Sequence, residues 1–268
     1  MGERYGIGID IGSTCAKTVV VDGDGRVVWR DLRPTGWSSV DTAEAIRRDL
    51  PDATKGGASV RFVTTGYGRV SAPFAHRCVT EISCHARGAV ALFRSNDLNV
   101  IDIGGQDTKL IVVTGGAVSE FAMNDKCSAG TGRFLEVMAN TLAVTPAGLC
   151  EMARRGGETH ISSLCTVFAE SEVVGLIGRG TPRESIAWGV VDSIAQKVKT
   201  QADRLRLGRG PLCLTGGLCD FPFIRERLEA ALGRPVRTSP DARFAGALGA
   251  AMIANADLQE NDKRRLQP

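Results

Sequence analysis

The segment YGIGIDIGSTCAKTVVVD, residues 5–22, contains the pattern from which the fold can be predicted. Apolar and small residues alternate up to Ile11, a Gly-Ser-Thr turn follows, and the chain continues into the β-branched run TVVV. This alternation around a short turn predicts a β-hairpin. Backbone N–H groups of such a turn can bind phosphate oxygens, and a carboxylate beside them can hold Mg²⁺ directly or through water. Asp10, at the end of the first strand, supplies that carboxylate.

The same pattern occurs a second time in NVIDIGGQDTKLIVV, residues 99–113. Both copies contain Ile-Asp-Ile-Gly, and IDIGGQDTK in the second stands where the first has IDIGSTCAK. One glycine turn after a strand is weak evidence for any function, because such turns are common. Two copies in one chain predict duplicated lobes that face one nucleotide.

A third glycine segment is PLCLTGGLCDFPFIRERLEAAL, residues 211–232, which predicts a buried strand, a glycine pair and an amphipathic helix. Gly216 and Gly217 would let the chain pass close to a flat ligand such as adenine and ribose. The small residues of FAGALGAAMIANA, 244–256, recur at helical spacing and predict a closely packed helix. We therefore expect an N-terminal lobe at 1–97, a C-terminal lobe at 98–243, a helix at about 244–257 that packs back on the first lobe, and a frayed polar tail at 258–268.

Composition narrows the range of functions. The 268 residues are 24% charged and 43% hydrophobic, as in an ordinary globular protein. A net charge of +3 and an aromatic content of 5% argue against a nucleic-acid partner. The strand-like start MGERYGIGIDIG is unlike a signal peptide, and no apolar stretch is long enough to span a bilayer. We expect a cytoplasmic protein without a membrane partner.

The eight cysteines are expected to be reduced thiols, because the cytosol disfavours disulfides. No Cys-x-x-Cys pair occurs, and a small buried residue is the simplest interpretation of most of them. A zinc site at Cys78 and Cys84, beside His85, stays open. Cys127 in NDKCSAGTGRFLE and Cys165 in ISSLCTVFAESEVVGLI differ, since each precedes a predicted helix. The partial positive charge of a helix N-terminus stabilises a thiolate.

The three glycine segments resemble the phosphate 1, phosphate 2 and adenosine motifs of the actin, sugar-kinase and acetate-kinase ATPase superfamily. Within it, MNDKCSAGTGRFLEVMA, ISSLCTVFAESEVVGLI and EISCHARGA resemble the activator component of 2-hydroxyacyl-CoA dehydratases, which is related to the ATPase subunits of benzoyl-CoA reductase. The resemblance covers roughly residues 4–255. It implies an α/β fold of two duplicated lobes around a nucleotide cleft.

The resemblance also implies an oxygen-sensitive homodimer that hydrolyses ATP and injects a low-potential electron into a dehydratase-type partner, with ferredoxin or flavodoxin as donor. It implies one [4Fe–4S] cluster per dimer, bound by Cys127 and Cys165 of each subunit. Because a cubane takes four thiolates and one chain offers two such cysteines, a twofold axis would supply the other pair. Ser128 and Thr166 would hydrogen-bond cluster sulfur. Closure of the lobes on ATP would rotate the helices that carry the cluster.

For the nucleotide, we assign Asp10 and Asp102 to Mg²⁺ and its water shell, and Gln106 to orienting the attacking water. Lys17 and Lys109 either approach phosphate oxygens or are solvated. The predicted nucleotide-binding residues are Gly12, Ser13, Thr14, Cys15, Ala16, Lys17, Gly104, Gly105, Gln106, Asp107, Gly216 and Gly217. Cys15 departs from the family, which more often has Ser, Thr or Ala there. A backbone N–H contact does not depend on the side chain, so binding should persist.

Other functions stay open. A sugar-kinase-like phosphotransferase would need a substrate-holding carboxylate in a long first-lobe insertion, and residues 23–98 leave little room for one. An actin-like or chaperone-like module would bind ATP without redox chemistry. Among redox acceptors, a 2-hydroxyacyl-CoA dehydratase is favoured over a benzoyl-CoA reductase or a double-cubane reductase. A single chain with both the NDKC and SSLC segments resembles the homodimeric activator.

Overall fold

The computed structural model describes residues 3–55, 57–157, 159–162 and 165–265, with side chains described as far as Glu260. The chain divides into two compact units. The first takes in the residues up to 96, residues 115–118 and those from 244 onward; the second takes in 97–114 and 119–243.

The strands and helices of the described residues follow one another with short connections. The strands are β1 (Arg4–Ile11), β2 (Cys15–Asp22), β3 (Val27–Pro34), β4 (Ser59–Thr65), β5 (Arg77–Cys78), β6 (Leu98–Ile103), β7 (Thr108–Thr114), β8 (Ala117–Asn124), β9 (Leu212–Gly216) and β10 (Val236–Arg237). The helices are α1 (Ser39–Asp49), α2 (Glu81–Phe93), α3 (Gly132–Thr141), α4 (Pro146–Ala153), α5 (Thr166–Gly178), α6 (Arg183–Ala202), α7 (Pro222–Leu232) and α8 (Ala245–Arg265).

The first sheet is built around the predicted hairpin. Its strand order is β3-β2-β1-β4-β5, with β1 and β2 antiparallel and β4 parallel to β1. The register pairs Asp10 with Lys17 on β2 and with Thr65 on β4. Ile7, Ile9 and other apolar side chains of β1 are fully buried. The carboxyl ends of β1 and β4 therefore present Asp10 and Thr65 side by side.

The second sheet repeats this plan. Its order is β10-β9-β6-β7-β8, with β6 and β7 antiparallel and β9 parallel to β6. Asp102 pairs with Lys109 on β7 and with Thr215 on β9, as Asp10 pairs with Lys17 and Thr65 in the first sheet. The predicted duplication is therefore present in strand order, direction and register.

Helices cover the second sheet through amphipathic faces. In α6 the residues Ile186, Val190, Ile194 and Val198 are fully buried at a spacing of one helical turn. Phe134 and Met138 of α3 are buried in the same core. No helix in the described ranges is long and apolar enough to cross a membrane.

The last helix, α8, packs on β1, β2, β4 and α2 within the first unit. Small residues permit this close contact: a Cβ on Gly8 would collide with the carbonyl oxygen of Ala247. The helix extends to Arg265, whereas the polar composition predicted a frayed tail from residue 258. The reason is local propensity, because Leu258, Gln259 and Glu260 are good helix formers and no Gly or Pro interrupts them.

Candidate nucleotide and cluster sites

Asp102 ends strand β6 and is held by two side chains. Its carboxylate is nearly buried, with 2% exposed. The Thr215 hydroxyl donates a 2.8 Å hydrogen bond to Oδ1, and Lys109 Nζ lies 3.4 Å from Oδ2. Burying a charge is costly unless it is paired and hydrogen-bonded, and these contacts meet that requirement. The carboxylate therefore has a fixed orientation.

Lys109 also contacts the next carboxylate along the chain. Its Nζ lies 2.7 Å from Asp107 Oδ2, and both side chains are buried. Of the two alternatives for Lys109, a solvated side chain is therefore wrong. Its ammonium lies between two carboxylates, and removal of any one of the three groups would leave an uncompensated buried charge.

The phosphate-2 turn runs from Gly104 to Asp107. The Gly104 N–H donates to the Asp107 carbonyl oxygen at 2.9 Å, so this N–H closes the turn. Gly104 and Gly105 are half-buried, whereas the Gln106 side chain is exposed. A Cβ on Gly104 would collide with Asp107 Oδ1, so only glycine fits there. Gln106 can reach solvent and ligand without disturbing the buried ion pairs.

The glycine pair of the adenosine motif lies beside the same carboxylate. Gly216 has φ of 84°, which favours glycine, and a Cβ there would lie 2.9 Å from Asp102 Oδ1. A Cβ on Gly217 would meet nothing within 4 Å, so open space adjoins this residue. At its border, the Arg243 guanidinium lies 2.9 Å from Asp220 Oδ2 and donates at 3.4 Å to the Gly217 carbonyl oxygen.

The phosphate-1 turn of the first unit has the same construction. The Gly12 N–H donates to the Cys15 carbonyl oxygen at 3.1 Å, and Ser13 and Thr14 are exposed. Thr35 braces the turn, since its Oγ1 donates to Gly12 O at 2.7 Å and its N–H to Thr14 O at 2.9 Å. The N–H groups of Gly12 and Gly104 are thus used within their turns and are not available to a phosphate group.

The other residues of this hairpin that are predicted to bind nucleotide or Mg²⁺ differ in how exposed they are to solvent. Asp10 is 4% exposed, and Lys17 Nζ lies 3.7 Å from its Oδ2. Ala16 is fully buried, so only its backbone can take part in binding. Cys15 is half-buried.

Cys127 and Cys165 stand at different distances from their helices. Cys165 is exposed and is the N-cap of α5, where its carbonyl oxygen accepts the N–H of Ala169 at 2.9 Å. Cys127 is half-buried, and a turn through Gly130, with φ of 82°, separates it from α3, which begins at Gly132. Each cysteine therefore precedes a helix as predicted, with Cys165 capping α5 directly and a turn lying between Cys127 and α3.

A side-chain hydrogen bond joins the two cysteine segments. Ser128 and Thr166, each directly following a cysteine, have their hydroxyl oxygens 2.8 Å apart. Further along the two helices, the Thr141 hydroxyl donates to Glu170 Oε1 at 3.2 Å. Glu172 on α5 contacts Ser162, since its carboxylate accepts the N–H and the hydroxyl of that residue. Two thiols from one region of the second unit suit shared ligation of one metal cluster.

The zinc site considered at Cys78 and Cys84 has no support among the described residues. Within the ranges that the structure describes, no group of three or more His, Cys, Asp or Glu side chains is arranged to hold a metal ion. Cys78 donates to the Arg69 carbonyl oxygen at 3.3 Å, and Cys84 is fully buried, which gives no support to the zinc alternative. Burial raises the pKa of four thiols to about 12: Cys84, Cys150, Cys213 and Cys219.

Comparison with known proteins identifies the family. The BadF/BadG/BcrA/BcrD ATPase family matches residues 7–254. The chain belongs to this family. The resemblance stated from the sequence motifs is thereby confirmed.

Two relatives are similar over nearly the whole length. The (R)-2-hydroxyglutaryl-CoA dehydratase activating ATPase of Acidaminococcus fermentans is 42% identical over 253 residues, which cover 93% of this chain and 96% of the relative. The solved activator of the 2-hydroxyisocaproyl-CoA dehydratase from Clostridium difficile, with bound ADPNP, superposes with a TM-score of 0.89 at 32% identity and covers 97% and 98% of the two chains.

A more distant structure supports the fold alone. A ROK family glucokinase from Streptomyces griseus has a TM-score of 0.60 at 15% identity, over 94% of this chain and 99% of the glucokinase. The predicted actin/sugar-kinase-type ATPase fold is thereby confirmed.

In this member of the BadF/BadG/BcrA/BcrD ATPase family, the phosphate-2 turn is hydrogen-bonded to the start of α3. The N–H groups of Gly132 and Arg133 donate to the carbonyl oxygens of Gly104 and Gly105, at 2.9 and 2.8 Å. The Thr108 hydroxyl donates to Gly130 O at 3.1 Å. The loop that follows Cys127 is therefore in direct contact with the turn predicted to bind phosphate.

The sequence alone did not predict Thr215, Thr35 or these backbone contacts. A signal for Thr215 existed, because Thr-Gly occurs at the end of β4 in TTGYG and again at the end of β9 in LTGG. Thr35 lies in a loop with no comparable repeat. The hydrogen bonds between the phosphate-2 turn and α3 join backbone atoms, which every residue type has, so they cannot be recognised from residue identities.

Proposed function

We propose that this chain is an ATP-hydrolysing iron–sulfur activator that delivers a low-potential electron to a 2-hydroxyacyl-CoA dehydratase-type enzyme in the cytoplasm. The observation that carries the proposal is the 2.8 Å contact between Ser128 and Thr166, which brings together the residues after Cys127 and Cys165. Relatives of this chain over its whole length include dehydratase activators, which supports the choice of acceptor. Ferredoxin or flavodoxin is the proposed donor.

ATP is bound through the two hairpin turns and the glycine pair. N–H groups of the turns at residues 12–17 and 104–107 contact phosphate oxygens, and Asp10 and Asp102 hold Mg²⁺ or its water shell. Thr215 and Lys109 keep Asp102 in one orientation, so the carboxylate does not have to be ordered when a ligand binds. The exposed Gln106 orients the attacking water. The open space at Gly217 receives the nucleoside.

The cluster requires a second copy of the chain. A [4Fe–4S] cluster, when bound, supplies a one-electron carrier of low potential to the acceptor. Cys127 and Cys165 provide two thiolates, and a homodimer provides four around a twofold axis. Val167 and Phe168, close to Cys165 at the start of α5, are 65% and 68% exposed. Val174, about two turns further along the same helix, is 55% exposed. A second copy seated on this apolar face would remove it from water.

Nucleotide state reaches the cysteine segment through α3. The first two N–H groups of this helix are bonded to the phosphate-2 turn, so a shift of the turn on loss of the γ-phosphate moves the helix start. Thr108 and Gly130 add a second connection at 3.1 Å. Hydrolysis therefore changes the surroundings of Cys127. In this proposal the product of the ATPase is a conformational state and not a phosphorylated metabolite.

The deciding experiment measures iron, acid-labile sulfide and molecular mass in anaerobically purified protein. We expect a dimer with about four irons per dimer, and loss of iron in Cys127→Ala and in Cys165→Ala. Cys78→Ala is the matched control and should keep the iron. ATP-dependent reduction of a purified dehydratase partner then tests the electron transfer.

Two outcomes would contradict the proposal. Absence of iron and sulfide would leave an ATPase without redox chemistry, either a phosphotransferase or an actin-like module. A full cluster in a monomer would contradict the shared ligation. Activity with a benzoyl-CoA reductase or a double-cubane reductase, and not with a dehydratase, would keep the redox function and change the acceptor.

A further inference from the structure

His85 is a buried histidine that the proposed function does not use. It lies on α2 in the motif EISCHARGA and is 5% exposed. Helices α2 and α8 approach closely because Gly88 and Gly249 have no side chains: a Cβ on either would collide with the backbone of the other helix. This approach brings α2, and His85 with it, to the end of β1.

Gly246 on α8 lies next to both His85 and Asp10. A Cβ at Gly246 would lie 2.8 Å from Asp10 Oδ2 and 2.8 Å from His85 Nε2. Both polar atoms thus lie around the position that a side chain at residue 246 would occupy. Glycine leaves this position empty. On the other side of the carboxylate, a Cβ on Gly66 would lie 2.7 Å from Oδ1.

The two hairpin carboxylates differ in how they are held. Asp102 accepts a 2.8 Å hydrogen bond from Thr215 and has the buried Lys109 at 3.4 Å. The register places Thr65 beside Asp10 in the same way, yet the Thr65 hydroxyl makes no such bond.

The lysine of the first hairpin is also placed less closely. Lys17 Nζ is 3.7 Å from Asp10 and its side chain is more exposed than that of Lys109. Burial keeps the nearby Cys84 thiol neutral, with a pKa raised to about 12, so it adds no second charge. Thr215 and Lys109 thus hold Asp102 closely. Asp10 is held less closely by the corresponding threonine and lysine, and His85 is a further polar side chain near it.

We propose that His85 is a positioning residue for Asp10: its Nε2 fixes the carboxylate that holds Mg²⁺, or the water shell of Mg²⁺, at the phosphate-1 turn. The inference rests on the proposed assignment of Asp10 to Mg²⁺. His85 does not itself contact nucleotide or metal. Groups that orient a metal-binding carboxylate change metal affinity about 10- to 100-fold when they are removed.

The test compares nucleotide affinity with and without Mg²⁺. A non-hydrolysed ATP analogue is titrated into the anaerobic holoprotein by calorimetry, once with Mg²⁺ and once with EDTA. In His85→Ala we expect affinity in Mg²⁺ to fall at least about tenfold, with affinity in EDTA unchanged. His85→Gln keeps an N–H donor of similar reach and should restore part of the loss. Gly246→Ala, which adds a Cβ at the shared space, should behave like His85→Ala.

The control is His76→Gln, which alters a histidine of the same unit whose Nδ1 accepts the Phe62 N–H at 3.0 Å. It should lower thermal stability without changing the ratio of the two affinities. An unchanged ratio in His85→Ala, or an equal loss in Mg²⁺ and in EDTA, would overturn the inference while the proposed function stands. A parent protein whose nucleotide affinity does not respond to Mg²⁺ would instead overturn the assignment of Asp10.

Discussion

At the scale of single residues, Gly104 is the most sensitive position of the phosphate-2 turn. A Cβ there would collide with Oδ1 of Asp107, whose other carboxylate oxygen, Oδ2, pairs with Lys109. We expect Gly104→Val to weaken ATP binding by about 10- to 100-fold, since overpacking costs roughly 1–3 kcal/mol. Calorimetric titration with ATP measures this, and iron content should stay near that of the parent.

Gly157→Ala is the matched control for that change. A Cβ at Gly157 would find its nearest neighbour, Ser185 Oγ, at 3.9 Å, so neither the fold nor ATP affinity should change. ATP affinity of Gly104→Val equal to that of the parent would show that the turn is not a phosphate site.

Gln106 provides a test of hydrolysis that leaves binding intact. Its side chain is exposed, so Gln106→Ala should cost little stability. If this amide orients the attacking water, ATP turnover should fall by up to about a hundredfold while ATP affinity persists. Steady-state ATPase assays and equilibrium binding separate the two effects. Unchanged turnover would move the role elsewhere, and Asp107 is a poor substitute because Lys109 already pairs with it.

The buried thiols make stability depend on alkaline pH. Burial raises the pKa of Cys84, Cys150, Cys213 and Cys219 to about 12, whereas an unfolded thiol titrates near 8.5. Between these values the unfolded chain loses protons that the folded chain keeps, so the free energy of unfolding should fall as pH rises above about 9. Urea unfolding at pH 8, 9 and 10 measures the slope. Cys213→Val should reduce it, and a slope that is the same in this variant would contradict the assignment.

At the scale of secondary structure, the sequence predicted the hairpins better than their surroundings. Each hairpin is local, so alternation and a glycine turn were enough to place Asp10 and Asp102 at strand ends. The pairing of Asp102 with Thr215 joins β6 to β9 across more than a hundred residues, and nothing near Asp102 encodes it. The same holds for α3, whose bonds to Gly104 and Gly105 are made by backbone atoms.

The contact between the starts of α3 and α5 leads to a prediction about cluster retention. Thr166→Val keeps the shape of the side chain and removes the hydroxyl that lies 2.8 Å from Ser128. We expect faster loss of iron to a chelator in this variant, because the two cysteine segments are then less firmly joined. Thr200→Val is the control, since its hydroxyl donates only to Gln196 O on α6. Equal rates of iron loss in parent and Thr166→Val would show that this contact does not support the cluster.

At the scale of the whole molecule, the duplication was predictable from the sequence and the exposed face of α5 was not. Two IDIG segments sufficed to predict duplicated lobes, which the structure shows as two sheets of one plan. The small residues of α8 predicted a closely packed helix, and the structure places it on β1. The sequence of α5, in contrast, has no strong polar face from which exposure could be predicted. Only the structure separates its buried Ala169 and Val173 from its exposed Val167 and Phe168.

If this exposed face of α5 is the dimer interface, a charge placed on it should prevent both dimer formation and cluster binding. Phe168 is 68% exposed and follows Cys165 by three residues, so Phe168→Glu places a charge on the proposed interface without removing a cysteine. A buried unpaired charge is costly, and we expect the variant to be monomeric with little iron while it still binds ATP. Val27→Glu on β3, at a position 46% exposed, is the control and should stay dimeric. Anaerobic light scattering with iron analysis decides the matter: if Phe168→Glu is a monomer with a full cluster, the four thiolates do not come from two chains.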